Sequence, residues 1–147
     1  MTGDVWEIIP GRLWQSGTLC HPDAAAKANE LDIEYVVHLN DEECHFASRR
    51  MGRRPFTELF WEIEDGPLPD LADLDDVVSR VCAAVSAGKR VLVHCYAGMN
   101  RSGLVNAAAV HRLTGRSGPQ LIGFMRRKRP GCLTNRRFVQ YLEALGK

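Results

Sequence analysis

No two of the five cysteines, Cys20, Cys44, Cys82, Cys95 and Cys132, form a C-x-x-C pair, and their number is odd. That argues against a disulfide framework and against a thiolate zinc site, so reduced thiols are expected. No apolar run approaches the roughly 20 residues that span a bilayer. The opening MTGDVWEIIPG has no basic segment followed by a long apolar one, so no secretory signal is expected, and the chain is expected to be cytoplasmic. Internal repeats and low-complexity linkers are missing too. The histidines other than His94 (His21, His38, His45 and His111) are scattered, with no spacing that argues for a metal. Neither a metal nor any other cofactor is expected.

What is present is ordinary in bulk. The chain has 147 residues, 45% hydrophobic and 25% charged, which suits one domain over 1–147 with a core of its own. Net charge is only +1, but it is unevenly spread. Arg126, Arg127, Lys128, Arg129, Arg136 and Arg137 follow one another with no acid between them, while the stretch from Glu62 to Asp76 is acidic and has no base. Each run reads first as a solvated face. The excess of arginine over lysine suits bidentate contact with phosphate.

Strand and helix patterns alternate along the chain. VWEIIPGRLWQSG reads as two short strands around Pro10-Gly11, and the alanine-rich Pro22 to Leu31 as a helix. IEYVVHL (33–39) is a buried strand by its β-branched content, and FTELFWEIE (56–64) is another. The charged stretch between them is a surface loop with at most one helical turn. Leu74, Val77, Val78, Val81 and Val85 recur at helical spacing, with Asp70 or Asp73 as cap and Gly88 at the end. RVLVHC is a central strand. Helices follow over Ser102 to Leu113, from the Ser117/Gln120 capping-box pattern to about Arg127, and after Thr134, the cap expected for the last one. Trp6, Trp14 and Trp61 lie in strand-like segments and are expected in the core. The order predicts an α/β fold, a central mostly parallel sheet flanked by helices, with ligands at the carboxyl ends of the strands.

Cys95 sits at such an end, in VLVHCYAGMNRSG. The loop joins a buried strand to a helix N-terminus, where successive backbone N–H groups and the helix dipole favour an anion. Gly98 and Gly103 allow close backbone turns, and Arg101 offers a planar fork for two phosphate oxygens. Thiols in such positive surroundings ionise readily, and the thiolate is the nucleophile. A lone cysteine is ordinarily a small buried hydrophobe; its spacing to Arg101 and Ser102, between a strand with His94 and a helix, favours the reactive reading.

HCYAGMNRS resembles the H-C-x5-R-[S/T] signature of the cysteine-based protein tyrosine phosphatase superfamily, and the chain's size resembles its compact dual-specificity branch. IIPGRLWQSG, IEYVVHLND, WEIEDGPLPD and RPGCLTNRRFVQYL look like further segments of that family. The resemblance implies that Cys95 attacks phosphorus to give a phosphocysteine, which water then hydrolyses. It implies that Arg101 and the loop of Tyr96, Ala97, Gly98, Met99 and Asn100 bind the phosphoryl oxygens, that Ser102 stabilises the departing thiolate, and that His94 tunes and orients Cys95. Asp65, after a strand and before Gly66-Pro67, is the expected general acid; Glu64 and Asp70 are its rivals, Asp70 reading equally well as a helix cap. Asn135 matches a position where a glutamine helps position water in phosphoinositide phosphatases, although a shorter asparagine reads equally as a cap or turn residue. Asn100 is expected to hold the loop's shape.

The expected substrate is a phosphoprotein, carrying phosphotyrosine and phosphoserine or phosphothreonine, since a chain this short lacks the loops that deepen the tyrosine-specific pocket. An RNA 5′-phosphatase is the alternative: members with that activity carry an asparagine before the loop arginine, as Asn100 stands here, and the basic run can hold nucleic acid, but it lacks interleaved aromatics for base stacking. A phosphoprotein-binding module without turnover is the non-enzymatic alternative. Membrane partners are not expected.

Overall fold

The computed structural model describes residues 3–40 and 56–146; the expected charged loop falls largely outside them. Five strands form one sheet in the order β1-β2-β5-β3-β4: β1 (Val5–Ile9), β2 (Leu13–Ser16), β3 (Tyr35–His38), β4 (Thr57–Phe60) and β5 (Val91–His94). The Pro10-Gly11 turn makes β1 and β2 antiparallel, and every other neighbouring pair is parallel. The mostly parallel sheet is thus as expected. β5, buried at every residue, lies at its centre with β2 and β3 on either side. FTELFWEIE forms a shorter strand than its composition predicts. Beyond Phe60 the backbone still donates from Trp61 to the His38 carbonyl and from Ile63 to the Leu39 carbonyl, but the ladder gives way there to the segment that carries Asp65.

Two layers of helix cover the sheet. α1 (Pro22–Glu30) buries Ala24 and Ala28 with Trp14, Val36 and Leu92 on one face. On the other, α2 (Leu71–Ser86), α3 (Arg101–Thr114), α4 (Gly118–Lys128) and α5 (Arg136–Glu143) pack with Leu13, Val37, Val91 and Val93. The alternation of Val91, Leu92 and Val93 between the faces is the period-2 pattern of a strand buried on both sides. Trp14 is a core residue as expected, whereas Trp6 and Trp61 are only half-buried.

The helix ends follow local chemistry. Asp70, not Asp73, caps α2: its carboxylate accepts from the Asp73 N–H at 3.0 Å, and Gly88, at φ +84°, turns the chain out of that helix. α3 ends at Gly115 in the left-handed region. In the α4 capping box, the Gln120 side chain accepts from the Ser117 N–H. The cap of α5 differs from expectation. It is Asn135, whose side-chain oxygen accepts from the Arg137 and Phe138 N–H groups, while Thr134 is drawn to Asn100. The thiols also depart from the expected reduced state. Cys20 is disulfide-bonded, whereas Cys82, Cys95 and Cys132 are free. An odd count and the lack of close spacing exclude neither a single bond nor a long-range one.

Asp70→Ala is expected to lower stability by about 1 kcal/mol. Asp73→Ala, which leaves the cap's side chain in place, is expected to cost less. Urea unfolding of the two variants checks the assignment.

Candidate active site

The loop after β5 is held from outside by its carbonyls. The Tyr96 carbonyl accepts from the Thr18 N–H at 3.0 Å. That of Ala97 accepts from Arg129 Nη2 at 3.3 Å. Gly98 O takes both Gln15 Nε2 at 3.0 Å and Arg129 Nε at 3.1 Å, and Met99 O takes the Leu133 N–H at 3.2 Å. In a planar trans peptide the C=O and the following N–H point in opposite directions. Four successive carbonyls bonded outward therefore turn the N–H groups of Ala97, Gly98, Met99 and Asn100 the other way. None of these four N–H groups donates to another group among the described residues. A run of inward amides at a helix N-terminus can bind an anion.

The anchors come from elements far apart in sequence. Gln15, on β2, is oriented by Asn106 of α3, whose amide donates to Gln15 Oε1 at 3.1 Å and to the Trp14 carbonyl at 3.3 Å; both side chains are fully buried. Arg129 stacks its guanidinium over Trp6, 3.9 Å from the ring centroid. Gly98, at φ +68°, packs so closely that a Cβ there would lie 2.7–2.9 Å from the backbone of Ser16 and Gly17. A Cβ on Gly17 would in turn lie 2.8 Å from the Tyr96 carbonyl. Leu133 adopts φ +62° to dock against this loop, a conformation that costs a non-glycine residue about 1–2 kcal/mol.

At the mouth of the loop, Cys95 Sγ and Ser102 Oγ are 3.2 Å apart and both buried. Arg101 opens α3, and one of its Nη atoms donates to the Ile63 carbonyl at 3.3 Å. Asp65, exposed on the segment between β4 and α2, is gripped by two amides. Asn100 Nδ2 donates to its Oδ2 at 3.0 Å and Asn135 Nδ2 to its Oδ1 at 2.9 Å. Asn135 also donates to the Gly66 carbonyl at 3.0 Å. Asn100 in turn accepts from the Thr134 and Asn135 N–H groups at 2.7 and 2.9 Å. Of the three acids considered, Asp65 is therefore the one tied to the residue before Arg101; Asp70 is occupied as a cap.

Behind Cys95, His94 is fully buried, its Nε2 2.5 Å from Nδ1 of the buried His38. Burial, followed by the charge of His38, pushes its pKa down to about 3; Arg101 adds to this and the Cys95 backbone opposes it. His94 is thus neutral. Burial also raises the Cys132 thiol to about 11, against the pull of Arg129 and Arg126.

Cys95, Ser102, Arg101, Asn100, Asp65 and Asn135 all converge on the carboxyl end of the central strand. Sequence reasoning missed Gln15, Asn106, Arg129 and His38. The first two are single polar residues in apolar runs, a weak signal that a buried polar partner was needed. Arg126 and Arg129 belong to the basic run, but they are engaged with backbone carbonyls rather than forming only a solvated face.

Residues 16–147 match the family described as dual specificity phosphatase, catalytic domain. The chain belongs to that family. It is 35% identical over 105 residues to the tyrosine-protein phosphatase CDC14 of Saccharomyces cerevisiae, covering 69% of this chain and 18% of that protein. It is 29% identical over 137 residues to the dual specificity protein phosphatase Mpk3 of Drosophila melanogaster, covering 92% of this chain and 32% of that protein. The chain thus spans about a third or less of the length of these curated relatives. Its fold is similar to that of Tk-PTP in the active form, with a TM-score of 0.74 at 25% identity, covering 97% of this chain and 98% of that one. Among the described residues no helix is long and apolar enough to cross a membrane, and no group of three or more His, Cys, Asp or Glu is placed to hold a metal.

Because His94 stays neutral in the fold down to about pH 3 while the unfolded chain binds a proton near 6.5, the unfolded state carries more protons between these values. Stability therefore falls as pH drops below 6.5, by up to about 1.4 kcal/mol per pH unit from this group. Urea unfolding at pH 7 and pH 4.5 checks this: His94→Asn should lose less stability between the two than the parent chain.

Proposed function

We propose that this chain hydrolyses phosphomonoesters through a phosphocysteine intermediate, with phosphorylated tyrosine, serine and threonine of proteins as its substrates. The observation that carries the reading is the outward anchoring of four successive loop carbonyls beside Cys95. It turns the amides inward as a preformed cradle for three phosphoryl oxygens, at a place where a thiol, an arginine and a helix N-terminus meet.

Each residue then has a role. The Cys95 thiolate attacks phosphorus in line with the leaving oxygen; the S–P bond forms as the P–O bond breaks. Arg101 and the loop amides hold the equatorial oxygens, where charge is spread in the transition state. Protonated Asp65 passes its proton to the leaving oxygen. In the second step the same carboxylate takes a proton from the attacking water, and the S–P bond breaks. Ser102, 3.2 Å from the sulfur, donates its hydroxyl proton in a hydrogen bond to the thiolate as it leaves. Asn135 acts on the acid rather than on water directly, since it caps α5 with its oxygen and steadies Asp65 with its nitrogen.

The exposure of the Asp65 segment and of Tyr96 supports a shallow site open to short and long phosphorylated side chains. Engagement of Arg126 and Arg129 with backbone carbonyls counts against the nucleic-acid reading, because it commits donors of two of the six cations of the basic run to the fold.

Purified protein with reductant and chelator is expected to turn over an aryl phosphate; no turnover would overturn the reading. Cys95→Ser should abolish turnover while retaining phosphate affinity. Asp65→Asn should slow a poor leaving group about 10²–10⁴-fold and a good one far less; equal losses would remove the acid role from Asp65. Parallel assays of phosphotyrosine peptide, phosphothreonine peptide and 5′-triphosphate RNA separate the substrate classes.

A further inference from the structure

Arg80, Arg90 and Arg112 each find a carboxylate, on Asp76, Glu34 and Asp75. Two arginines of the basic run do not. Arg126 and Arg136 make no ion pair among the described residues, and both line one open cleft of about 220 Å³. Arg126 is fixed there by the backbone. Its Nε donates to the Cys132 carbonyl at 3.3 Å and its Nη2 to the Leu133 carbonyl at 2.9 Å. Its charge stays uncompensated, and its Nη1 keeps no partner among the described residues. Arg136, the first residue of α5, is exposed and its side chain makes no hydrogen bond among them.

The wall of this cleft is the segment that docks on the phosphate loop. Leu133 and Thr134 line the cleft. The Leu133 N–H donates to the Met99 carbonyl and the Thr134 N–H to Asn100 Oδ1. Asn135, which grips Asp65, directly precedes Arg136. From Arg136 the lining continues with Val139, Gln140 and Glu143, the i, i+3, i+4, i+7 face of α5. At 1.5 Å per residue the cleft therefore runs roughly 10 Å along the helix. One end carries two unpaired cations next to the site. The other carries the Glu143 carboxylate, two turns away.

This distribution of charge selects a ligand. A nucleic-acid strand bears a phosphate at every nucleotide and would meet Glu143, and no aromatic side chain lines the cleft to stack a base. A polypeptide can instead set a single acidic side chain against the arginines and neutral ones along Val139 and Gln140. We propose that Arg126 and Arg136 form a subsite for an anionic side chain of the substrate protein, close in sequence to the phosphorylated residue. The anion is a carboxylate or a second phosphate, and the two arginines are specificity residues rather than catalytic ones. The proposal rests on the reading of the chain as a phosphoprotein phosphatase.

Arg136 is the residue to change, because Arg126 also supports the segment under the loop. The measurement is kcat/KM on phosphotyrosine peptides in which one glutamate is moved through the neighbouring positions, against an all-neutral peptide. One position is expected to gain about two- to fivefold, mainly in KM, the range of an exposed ion pair. Raised salt should shrink the gain. Arg136→Gln should remove most of it, and Arg136→Glu should replace it with a preference for lysine. Turnover of a small aryl phosphate, which does not reach the cleft, should be unchanged in both variants. Phosphoserine in place of the glutamate separates the two sources: a larger gain assigns the subsite to a second phosphate, an equal one to any anionic side chain.

A glutamate preference that survives Arg136→Glu overturns the proposal. So does a fall in small-substrate turnover that matches the loss on the acidic peptide, since that marks a structural role. Loss of 5′-triphosphate RNA turnover in Arg136→Glu, with peptide selectivity untouched, overturns it in favour of nucleic acid. An active enzyme indifferent to the glutamate at every position would sink the subsite alone. An inactive chain whose peptide affinity still rises with the glutamate, and falls in Arg136→Glu, would sink the turnover reading alone.

Discussion

Everything at the carboxyl end of the sheet depends on which way the peptide planes of Tyr96 to Met99 face. A loop left to itself would direct some carbonyls inward, and an inward carbonyl repels an anion. Here four carbonyls are each engaged from outside, by the Thr18 backbone, Arg129, Gln15 and the Leu133 backbone. Each such bond contributes about 0.5–1.5 kcal/mol net. Their larger effect is on organisation: amides oriented before an anion arrives need no rearrangement when charge builds up. The close fit of Gly98 against Ser16 and Gly17 reinforces the same orientation sterically, since the loop lies flush on β2 only where no side chain intervenes.

Asn100 links this loop to the two segments that complete the site. Its oxygen receives the Thr134 and Asn135 N–H groups, and its nitrogen reaches Asp65. A single side chain just before Arg101 thus fixes the closing segment and the acid relative to the anion cradle. Asn135 repeats the logic, capping α5 with one atom and holding Asp65 and Gly66 with the other. Asp65 sits on an exposed segment with no strand pairing of its own, so these two amides, rather than its own backbone, supply its alignment. That explains why the residue before the arginine and the residue after Thr134 are both asparagine: each must donate and accept at once, which neither a serine nor a leucine can do at that reach.

The sequence disclosed the fold class and the reacting centre because both are local. The VLVH run, the glycines at helix ends and the cysteine-to-arginine spacing each report on a few adjacent residues. What it did not disclose depends on contacts between residues distant in the chain. Gln15 and Asn106 are 91 positions apart, and nothing in either neighbourhood announces that they meet. The cap of α5 was misplaced by one residue because Thr134 and Asn135 are both good caps, and only the demand of Asn100 for the Thr134 amide decides between them. Arginines 126 and 129 looked like surface charge because a run of cations gives no sign that carbonyls of the phosphate loop will be within reach. FTELFWEIE reads as a longer strand because composition favours pairing throughout, whereas the chain must leave the ladder after Phe60 to bring Asp65 over the loop.

The same distance from local signal explains the histidine pair. A buried His94 is destabilising below pH 6.5, and a second buried imidazole beside it adds a further polar group that needs partners. An apolar residue at position 38 would pack against Phe60 at lower electrostatic cost. The sheet register instead sets His38 directly opposite His94, with Phe60 on its face and Glu58 within hydrogen-bond reach. This is a polar chain whose near end carries a carboxylate and whose far end meets the backbone of the nucleophile. The contacts of His38 on both sides hold the His94 ring in one orientation behind Cys95. The sheet's two faces are then divided in purpose. One, under α2 to α5, supplies the packing that seats the loop. The other, under α1, carries the polar chain of Glu58, His38 and His94, which ends at the residue before Cys95.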